Sequence, residues 1–285
     1  MNKKKTGRIY LVPTPLLEGE VHTIPMLNRE IVGGCTHFLL ESLKMGRRHI
    51  RAMVPDFDLD HAHLEVLNKH TPPQELEILI APVEHGQDIC ILSDAGCPGV
   101  ADPGSDLVQL AHRKAIEVIP LSGPSSILLA LMASGFNGQQ FSFLGYLSRD
   151  KGKLKQDLKK IDQAARKGIT QIFMETPYRN LAVMQELLQV ISGDLQLCVA
   201  CDIAGTNMYL KSQPVAHWQK QGLPDIHKRP CIFVLGGSWN TACQESGYQG
   251  HIDKKSESDH FALQPAQMPK TDSSISIWGQ KVYLG

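Results

Sequence analysis

The amino-acid sequence predicts an α/β fold, because short apolar segments alternate with longer segments of helical periodicity along most of the chain. In the first half, the candidate strands are 8–12, 37–41, 63–68, 88–93 and 117–121, and helical patterns include 73–85, 102–114 and 127–134. The second half continues with candidate strands at 141–147, 169–175, 195–203, 209–213 and 230–235 and helices near 151–167 and 179–192. We therefore expect two successive series of strands and helices.

The positions of turn residues divide the chain into two domains and a tail. A chain of 285 residues with 42% hydrophobic side chains can bury one large core or two smaller ones. The Asn137-Gly138 turn places the boundary between domains at 1–137 and 138–237. Residues 238–285 are polar and lack periodicity, which predicts a mostly disordered tail. The alternative is a docking arm that ends in the apolar residues Ile275, Ile277 and Trp278.

Composition limits the partners and the compartment of the protein. The 29 basic and 29 acidic residues cancel, so any contact with RNA has to be local rather than spread over the whole surface. Seven scattered cysteines without a secretory pattern favour the reducing cytoplasm. The longest apolar stretch, residues 127–133, is far shorter than the roughly 18 residues of a membrane span, so no membrane association is expected.

The loop after the fourth candidate strand is the most informative segment. In the sequence ICILSDAGCPGVADPG, residues 89–104, Gly96 and Gly99 permit positive φ angles or a close approach of backbone. Asp102 is predicted to cap the next helix, with Pro103 at its first position. Ligands of open α/β sheets bind at the carboxyl ends of strands, so we expect a small-molecule site here. The glycine spacing matches neither common phosphate-binding motif, which favours a nucleoside without phosphates.

Four strand-end loops together resemble a known family. Taken singly, the loops at 12–15, 94–99, 123–126 and 175–179 are ordinary turns between strands and helices. The segment SDAGCPGVADPG resembles the signature SDAG-x-P-x-x-x-DPG, LSGPSSILLALMASG resembles a P-x-PG-x-S-A segment, and METPYR resembles ESPHR. These are motifs of the tetrapyrrole methylases, the class III S-adenosylmethionine-dependent methyltransferases. Within them, the sequence is most similar to the bacterial ribose methylases of small-subunit ribosomal RNA.

The resemblance implies two α/β domains with S-adenosylmethionine folded into the cleft between them and held largely by backbone groups. Methyl transfer of this kind is expected to need no metal ion. Pro13 and Thr14 would form the floor of the site. Matching of motifs assigns the remaining cofactor contacts to Asp94, Gly96, Cys97, Ser125, Ser126, Ile127, Met174, Ala200 and Pro230.

Methyl transfer to a ribose hydroxyl requires alignment of donor and acceptor and removal of the hydroxyl proton. Motif positions nominate Glu41, Glu175 and Tyr178 as catalytic candidates. Glu175 could instead cap the following helix, and Glu41 could be solvated. Two positions depart from the subgroup, since Leu40-Glu41-Ser42-Leu43 stands where an AEDTR-like motif is usual and Tyr178 stands where histidine is usual.

Local basic clusters favour RNA as the partner. Residues 149–167 carry eight basic and three acidic side chains, and Arg47, Arg48 and Arg51 form a second cluster. Such runs are usually solvated helix faces, but a basic rim beside the cleft would suit ribosomal RNA or the small ribosomal subunit. The alternatives are a small tetrapyrrole substrate and a non-catalytic protein that binds the cofactor. The family also predicts a homodimer.

The pair Cys198 and Cys201 has the spacing of a metal or redox motif. Residues three apart on a strand face opposite sides of the sheet, however, so we predict that the two thiols do not act together.

Overall fold

The computed structural model describes residues 6–238, 274–277 and 280–283. Residues 1–240 belong to one compact unit that contains two five-stranded sheets, and residues 241–285 belong to a second unit. Among the helices that the structure describes, none combines the length and the apolar character that crossing a bilayer requires.

The first sheet is entirely parallel. Its strands are β1 (Arg8–Val12), β2 (His37–Leu40), β3 (His63–Val66), β4 (Ile89–Leu92) and β5 (Glu117–Pro120), in the order β3-β2-β4-β1-β5. The helices that accompany it are α1 (Met26–Gly34), α2 (Leu43–Met53), α3 (Pro73–Glu84) and α4 (Ser105–Arg113). All carboxyl ends of a parallel sheet lie at one edge, so the loops after β1, β2 and β4 meet there.

Strand β4 lies at the centre of the sheet, and both of its faces are apolar. Ile89 and Ile91 pack in a cluster with residues of α3 and α4, including Ile80 and Leu107. The alternate residues Cys90 and Leu92 belong to a separate cluster on the opposite face. A strand that is covered by helices on both sides is expected to be apolar throughout, and β4 is fully buried.

The second sheet is mixed. Its strands are β6 (Phe141–Tyr146), β7 (Thr170–Glu175), β8 (Gln196–Cys201), β9 (Tyr209–Pro214) and β10 (Cys231–Gly236), in the order β6-β7-β10-β8-β9. Only β6 and β7 are parallel, whereas the other three pairings are antiparallel. The predicted strands of this half are all present, and the antiparallel direction of β8 to β10 is a feature that the sequence analysis did not predict. Residues 202–208 between β8 and β9 are too few for the crossover that parallel strands need.

Helix α5 (Ser126–Ser134) packs on the second sheet, with α6 (Lys151–Arg166), α7 (Asn180–Val190) and α8 (Val215–Gln221) completing this half. The Ser125 side chain accepts a hydrogen bond from Leu128 N at the start of α5, and Gly135 ends the helix with φ of 77°. Ile127 and Leu131 join an apolar cluster with residues of β7, β8 and β10. The division at 137 and 138 places α5 in the first domain, although it packs on the second sheet, and that boundary stays a proposal.

The predicted strands agree with the structure to within two residues at each end, and one helix start is wrong. Helix α4 begins at Ser105 rather than at 102, and its cap is Gly104 with φ of 125°. Only glycine adopts that conformation readily, so the turn through Pro103 delays the helix. Asp102 is therefore not the capping residue. The sequence analysis does not predict helices α1, α2 and α8. In α2, Gly46 lowers the helix propensity of the segment. The structure needs glycine there because a Cβ would lie 2.5 Å from Leu40 Cδ1.

The tail contains a described hairpin of two short strands. These are β11 (Ser274–Ile277) and β12 (Gln280–Tyr283), paired antiparallel with Ile275 opposite Val282. Serine alternates with isoleucine in β11, a pattern typical of strands. The expectation of disorder for residues 239–273 lies outside the described residues, as does Trp278 of the alternative docking arm.

Candidate active site

A cavity of about 280 Å³ lies between the loops of the first sheet and the ends of β7, β8 and β10. Its walls combine apolar side chains such as Leu16 with carboxylates and hydroxyls. Most of the residues predicted for the site line it: Glu41, Asp94, Gly96, Cys97, Ser125, Ser126, Ile127, Met174, Glu175, Ala200 and Pro230. The structure therefore brings together residues from six separate segments of the chain, and the binding roles of these residues stay predictions.

Gly96 joins two of the loops at the base of the cavity. Its φ is 82°, and its backbone pairs with that of Thr14 through N–O distances of 2.9 and 3.2 Å. Thr14 is fully buried, and its hydroxyl donates to Ser93 O at 3.2 Å. Thr14 thus holds the loop from behind and does not line the cavity.

Pro13 supports the third loop in a similar way. A Cβ on Gly123 would lie 2.2 Å from Pro13 Cβ, so only glycine allows the two loops to pack this closely. Pro13 also lies outside the cavity lining. Pro13 and Thr14 therefore support the loops from behind the cavity wall, and their role as the floor of a cofactor site stays a prediction.

Three side chains of the β2 and α2 region fix Asp94. Glu41 Oε2 accepts a hydrogen bond from Asp94 N at 3.0 Å, and the Ser42 hydroxyl donates to Asp94 Oδ1 at 2.8 Å. His49 Nε2 lies 2.9 Å from Asp94 O. Burial lowers the pKa of His49, so we assign its neutral form as the donor to this carbonyl. Glu41, a catalytic candidate from the sequence, therefore helps to position the loop.

Glu175 is held by its own turn. Its Oε1 accepts from Thr176 N at 2.7 Å, and its Oε2 lies 3.3 Å from Arg179 Nη1. Glu175 thus stabilises the turn before α7, but the N-cap of this helix is Arg179 without a side-chain cap, so Glu175 is not its capping residue. Tyr178 is 74% exposed and lines neither this cavity nor its neighbour, so the structure does not bring it to the other candidates.

A second cavity of about 750 Å³ adjoins the first, and its lining combines carboxylates with basic side chains. The two share Glu41, Asp94, Asp102, Tyr146 and Glu175 as lining residues. The second cavity adds basic side chains from three loops, namely Lys69, His70, Arg149 and Arg179. A small site that opens into a larger one with basic side chains on its wall can hold a nucleoside next to a substrate that carries phosphates.

The predicted basic rim is only partly correct. Arg149 lines the second cavity, whereas Arg47, Arg48 and Arg51 and the lysines of α6 line neither cavity. Arg48 pairs with Glu18 instead. Lys69 and Arg179 were missed because they are isolated charges in the sequence, and only the fold places them beside Arg149.

Asp102 is the residue that sequence reasoning assigned to the wrong role. It lines both cavities instead of capping α4. Burial, followed by the nearby carboxylates of Glu41 and Asp94, raises the pKa of Asp102 to about 7, while a hydrogen bond with the Ser93 side chain opposes the shift. A carboxyl group with such a pKa in a cleft is a candidate for acid–base chemistry.

The cysteine pair of β8 behaves as predicted. Cys198 packs in the cluster beneath α5, and Cys201 packs in the cluster on the other face of the sheet. Across residues 6–238, no group of three or more His, Cys, Asp or Glu side chains is arranged to hold a metal ion. Independence from metal stays a prediction.

Comparison with known proteins decides the family. The family model of the Tetrapyrrole (Corrin/Porphyrin) Methylases matches residues 19–210. The chain belongs to the tetrapyrrole methylase family. This methylase is 30% identical over 233 residues to the Ribosomal RNA small subunit methyltransferase I of Escherichia coli O157:H7, which covers 80% of this chain and 77% of the relative. The protein of the same name from Vibrio cholerae serotype O1 is 29% identical over 208 residues, with coverages of 73% and 69%.

The fold of the methylase is also that of a solved relative. The crystal structure of the methyltransferase CobJ matches with a TM-score of 0.57 and 13% identity, covering 81% of this chain and 95% of that chain. At this identity the likeness concerns the fold alone. It agrees with the predicted fold class of two α/β halves around a cleft.

The methylase is an S-adenosylmethionine-dependent methyltransferase, and the residues of the first cavity fit that cofactor. Gly96 contributes bare backbone at a positive φ, which lets a ligand approach the chain closely. Leu16, Ile127 and Met174 offer apolar surface to an adenosine. The carboxylates beside them favour the positive charge of a sulfonium.

Proposed function

We propose that this methylase transfers a methyl group from S-adenosylmethionine to a ribose 2'-hydroxyl of small-subunit ribosomal RNA. The observation that carries the proposal is the second cavity, which adjoins the first and adds Lys69, Arg149 and Arg179 to the carboxylates that the two cavities share. Lys69, Arg149 and Arg179 come from three different loops and can contact the phosphates on either side of a target nucleotide. The names of the relatives from Escherichia coli and Vibrio cholerae support the same substrate.

The residues of the chain would act mainly by alignment. When bound, the cofactor supplies an electrophilic methyl carbon, and an in-line displacement needs the acceptor oxygen behind that carbon. The Asp94 loop, which is held by Glu41 and Ser42, and the Ser125-Ser126 turn orient the cofactor in the first cavity. The basic side chains fix the RNA backbone in the second cavity. Glu41 and Glu175 are candidates for the general base that removes the hydroxyl proton. Glu41 also holds the Asp94 loop, and Glu175 also holds its own turn.

A tetrapyrrole substrate is the second candidate. The carboxylates of such a molecule could pair with the same three cations, and the family carries its name from that chemistry. The third candidate function is that of a protein that binds the cofactor and catalyses no reaction.

The test measures radiolabelled methyl transfer to unmodified small ribosomal subunits and, side by side, to uroporphyrinogen or a precorrin. We expect transfer to the subunits with a steep decrease in added salt, because only RNA binding releases condensed counterions. Lys69→Glu combined with Arg149→Glu should weaken RNA-dependent turnover and lower the salt slope by about 2, roughly 1 for each lost phosphate contact. The matched control is Lys159→Glu with Lys160→Glu on the exposed face of α6, which should behave as wild type. Transfer to a tetrapyrrole alone would contradict the RNA substrate, and no transfer to either class would contradict an active enzyme.

We further propose that the methylase is a homodimer of the cytoplasm. Leu128 and Met132 of α5 are 52% and 77% exposed and lie one turn apart, so they form an apolar strip that a second copy could cover. The six cysteines of the described residues are free thiols, which is usual in a reducing compartment.

A further inference from the structure

Four carboxyl groups lie where the two cavities meet, and three of them are engaged. Glu41 accepts from Asp94 N, Asp94 accepts from the Ser42 hydroxyl, and Glu175 bonds Thr176 N and pairs with Arg179. A carboxylate that is held in this way positions backbone, and moving a proton onto it would weaken those bonds. The fourth group is Asp102, whose hydrogen bond is with the Ser93 side chain rather than with backbone.

The turn that carries Asp102 has an unusual backbone. The preceding residue, Ala101, has φ of 62°, and Gly99 and Gly104 have φ of 77° and 125°. A positive φ is unfavourable for alanine and persists only where the surrounding structure enforces it, most often at functional sites. This turn places the Asp102 side chain on the wall of both cavities, where the first cavity meets the second.

We propose that the Asp102 carboxylate is the general base that accepts the proton of the acceptor hydroxyl, an inference that rests on the proposed ribose methylation. The ribose oxygen forms a bond to the methyl carbon while the carbon–sulfur bond breaks and its electron pair stays on sulfur. The hydroxyl proton moves to a carboxylate oxygen of Asp102. The products are the 2'-O-methyl ribose, the neutral thioether and a protonated Asp102, which afterwards releases its proton to water.

The surroundings of Asp102 suit this role near neutral pH. Its pKa is raised to about 7 by burial and by Glu41 and Asp94, so the group is basic enough to take a proton and still largely ionised at slightly alkaline pH. The other groups that face it across the first cavity are Cys97, Tyr146, Glu175, Asp202 and Cys231. Across the second cavity it faces Lys69, His70, Arg149 and Arg179.

The other groups at the junction are less suitable as bases. Burial, with Asp102 and Glu175 adding to it, raises the pKa of Tyr146 above that of an ordinary phenol, so this hydroxyl stays protonated at neutral pH. Burial also raises the pKa of the Cys97 thiol. His49 faces the Asp94 carbonyl and lines neither cavity.

The experiment compares the wild type with Asp102→Asn, Asp102→Glu and the control Asp106→Asn, an exposed residue of α4 that lines neither cavity. Single-turnover methylation of small ribosomal subunits is measured from pH 5.5 to 9.5. For the wild type we expect a rate that rises with pH and levels off above about 7. Asp102→Asn should lower the plateau by about 10² to 10⁴ and remove this inflection, and Asp102→Glu should recover at least about tenfold. Asp106→Asn should match the wild type.

Binding measurements separate a base from a structural residue. Calorimetry uses S-adenosylhomocysteine, because this product lacks the sulfonium charge that would respond to loss of a nearby carboxylate. Its affinity, and the affinity for RNA in filter binding, should stay within roughly threefold of wild type in Asp102→Asn, since catalysis and ground-state binding are then separable. Loss of S-adenosylhomocysteine binding in this variant would overturn the proposal and make Asp102 a cofactor residue.

Failure of the inference and failure of the proposed function have different signatures. A wild type that methylates subunits while Asp102→Asn keeps the same rate and inflection overturns only the role of Asp102. A wild type that binds S-adenosylhomocysteine but does not methylate subunits overturns both.

Discussion

Replacing Asp102 by asparagine should stabilise the methylase at alkaline pH while it removes activity. The pKa of Asp102 rises from 3.8 to about 7 on folding, mainly because of burial and then because of Glu41 and Asp94. A shift of about three units at about 1.4 kcal/mol per unit sets an upper bound of about 4 kcal/mol. Asp102 is only half-buried, so solvent screening reduces the expected gain to about 1–2 kcal/mol.

The sign of the effect follows from proton binding. Between pH about 4 and about 7 the folded state binds more protons at Asp102 than the unfolded state, so the free energy of unfolding falls as pH rises through this window. Asparagine has no proton to lose and resembles the neutral acid in shape. The two proteins should therefore be equally stable below pH 4, and the variant should be more stable above pH 7.

The assay is urea unfolding of both proteins in steps from pH 4 to pH 8.5, with calorimetric melting as a second measurement. A gain of 1–2 kcal/mol corresponds to a rise in Tm of roughly 2–8 °C for a domain of this size. Asp162→Asn is a control of opposite sign. Burial raises the pKa of Asp162, but hydrogen bonds from Ser192 and Arg166 outweigh it and lower the pKa overall, so that variant should lose stability at neutral pH and not at low pH. A difference between wild type and Asp102→Asn that is constant with pH, or that favours aspartate above pH 7, would refute the reasoning.

Two further predictions concern the cofactor site and the proposed dimer. Ser126→Tyr fills the first cavity, and Gly96→Val adds a side chain 3.2 Å from Leu16 at a φ of 82°, so each should abolish binding of S-adenosylhomocysteine in calorimetry with an unchanged far-UV circular dichroism spectrum. Retained affinity in both would move the cofactor elsewhere. Light scattering should show a dimer for the wild type and a monomer for Met132→Glu, because a charge buried in an apolar interface costs more free energy than the contact gains. The control Ile78→Glu changes a residue of α3 that is 72% exposed and should leave the dimer intact. A monomeric wild type would refute the dimer itself.

The sequence by itself determined the class of the fold and most of the loops that line the first cavity. Strands β1, β4 and β7 are recognisable because their apolar residues are contiguous, and the loop after β4 is recognisable because glycine and proline restrict or free the backbone locally. Local properties of this kind do not depend on distant residues. The opposite orientation of Cys198 and Cys201 followed in the same way from the period of a strand.

Only the tertiary structure decided how strands pair and what the charged groups do. Antiparallel pairing of β10 with β7 and β8 depends on contacts between strands that are distant in the sequence, and local periodicity does not show which strands pair or in which direction. Lys69, Arg149 and Arg179 line one cavity, beside carboxylates from other loops, because the fold brings their three loops together. The pKa of Asp102 is set by burial, by Glu41 from the loop after β2 and by Asp94 from the start of its own loop, so the chemistry of this side chain exists only in the folded protein.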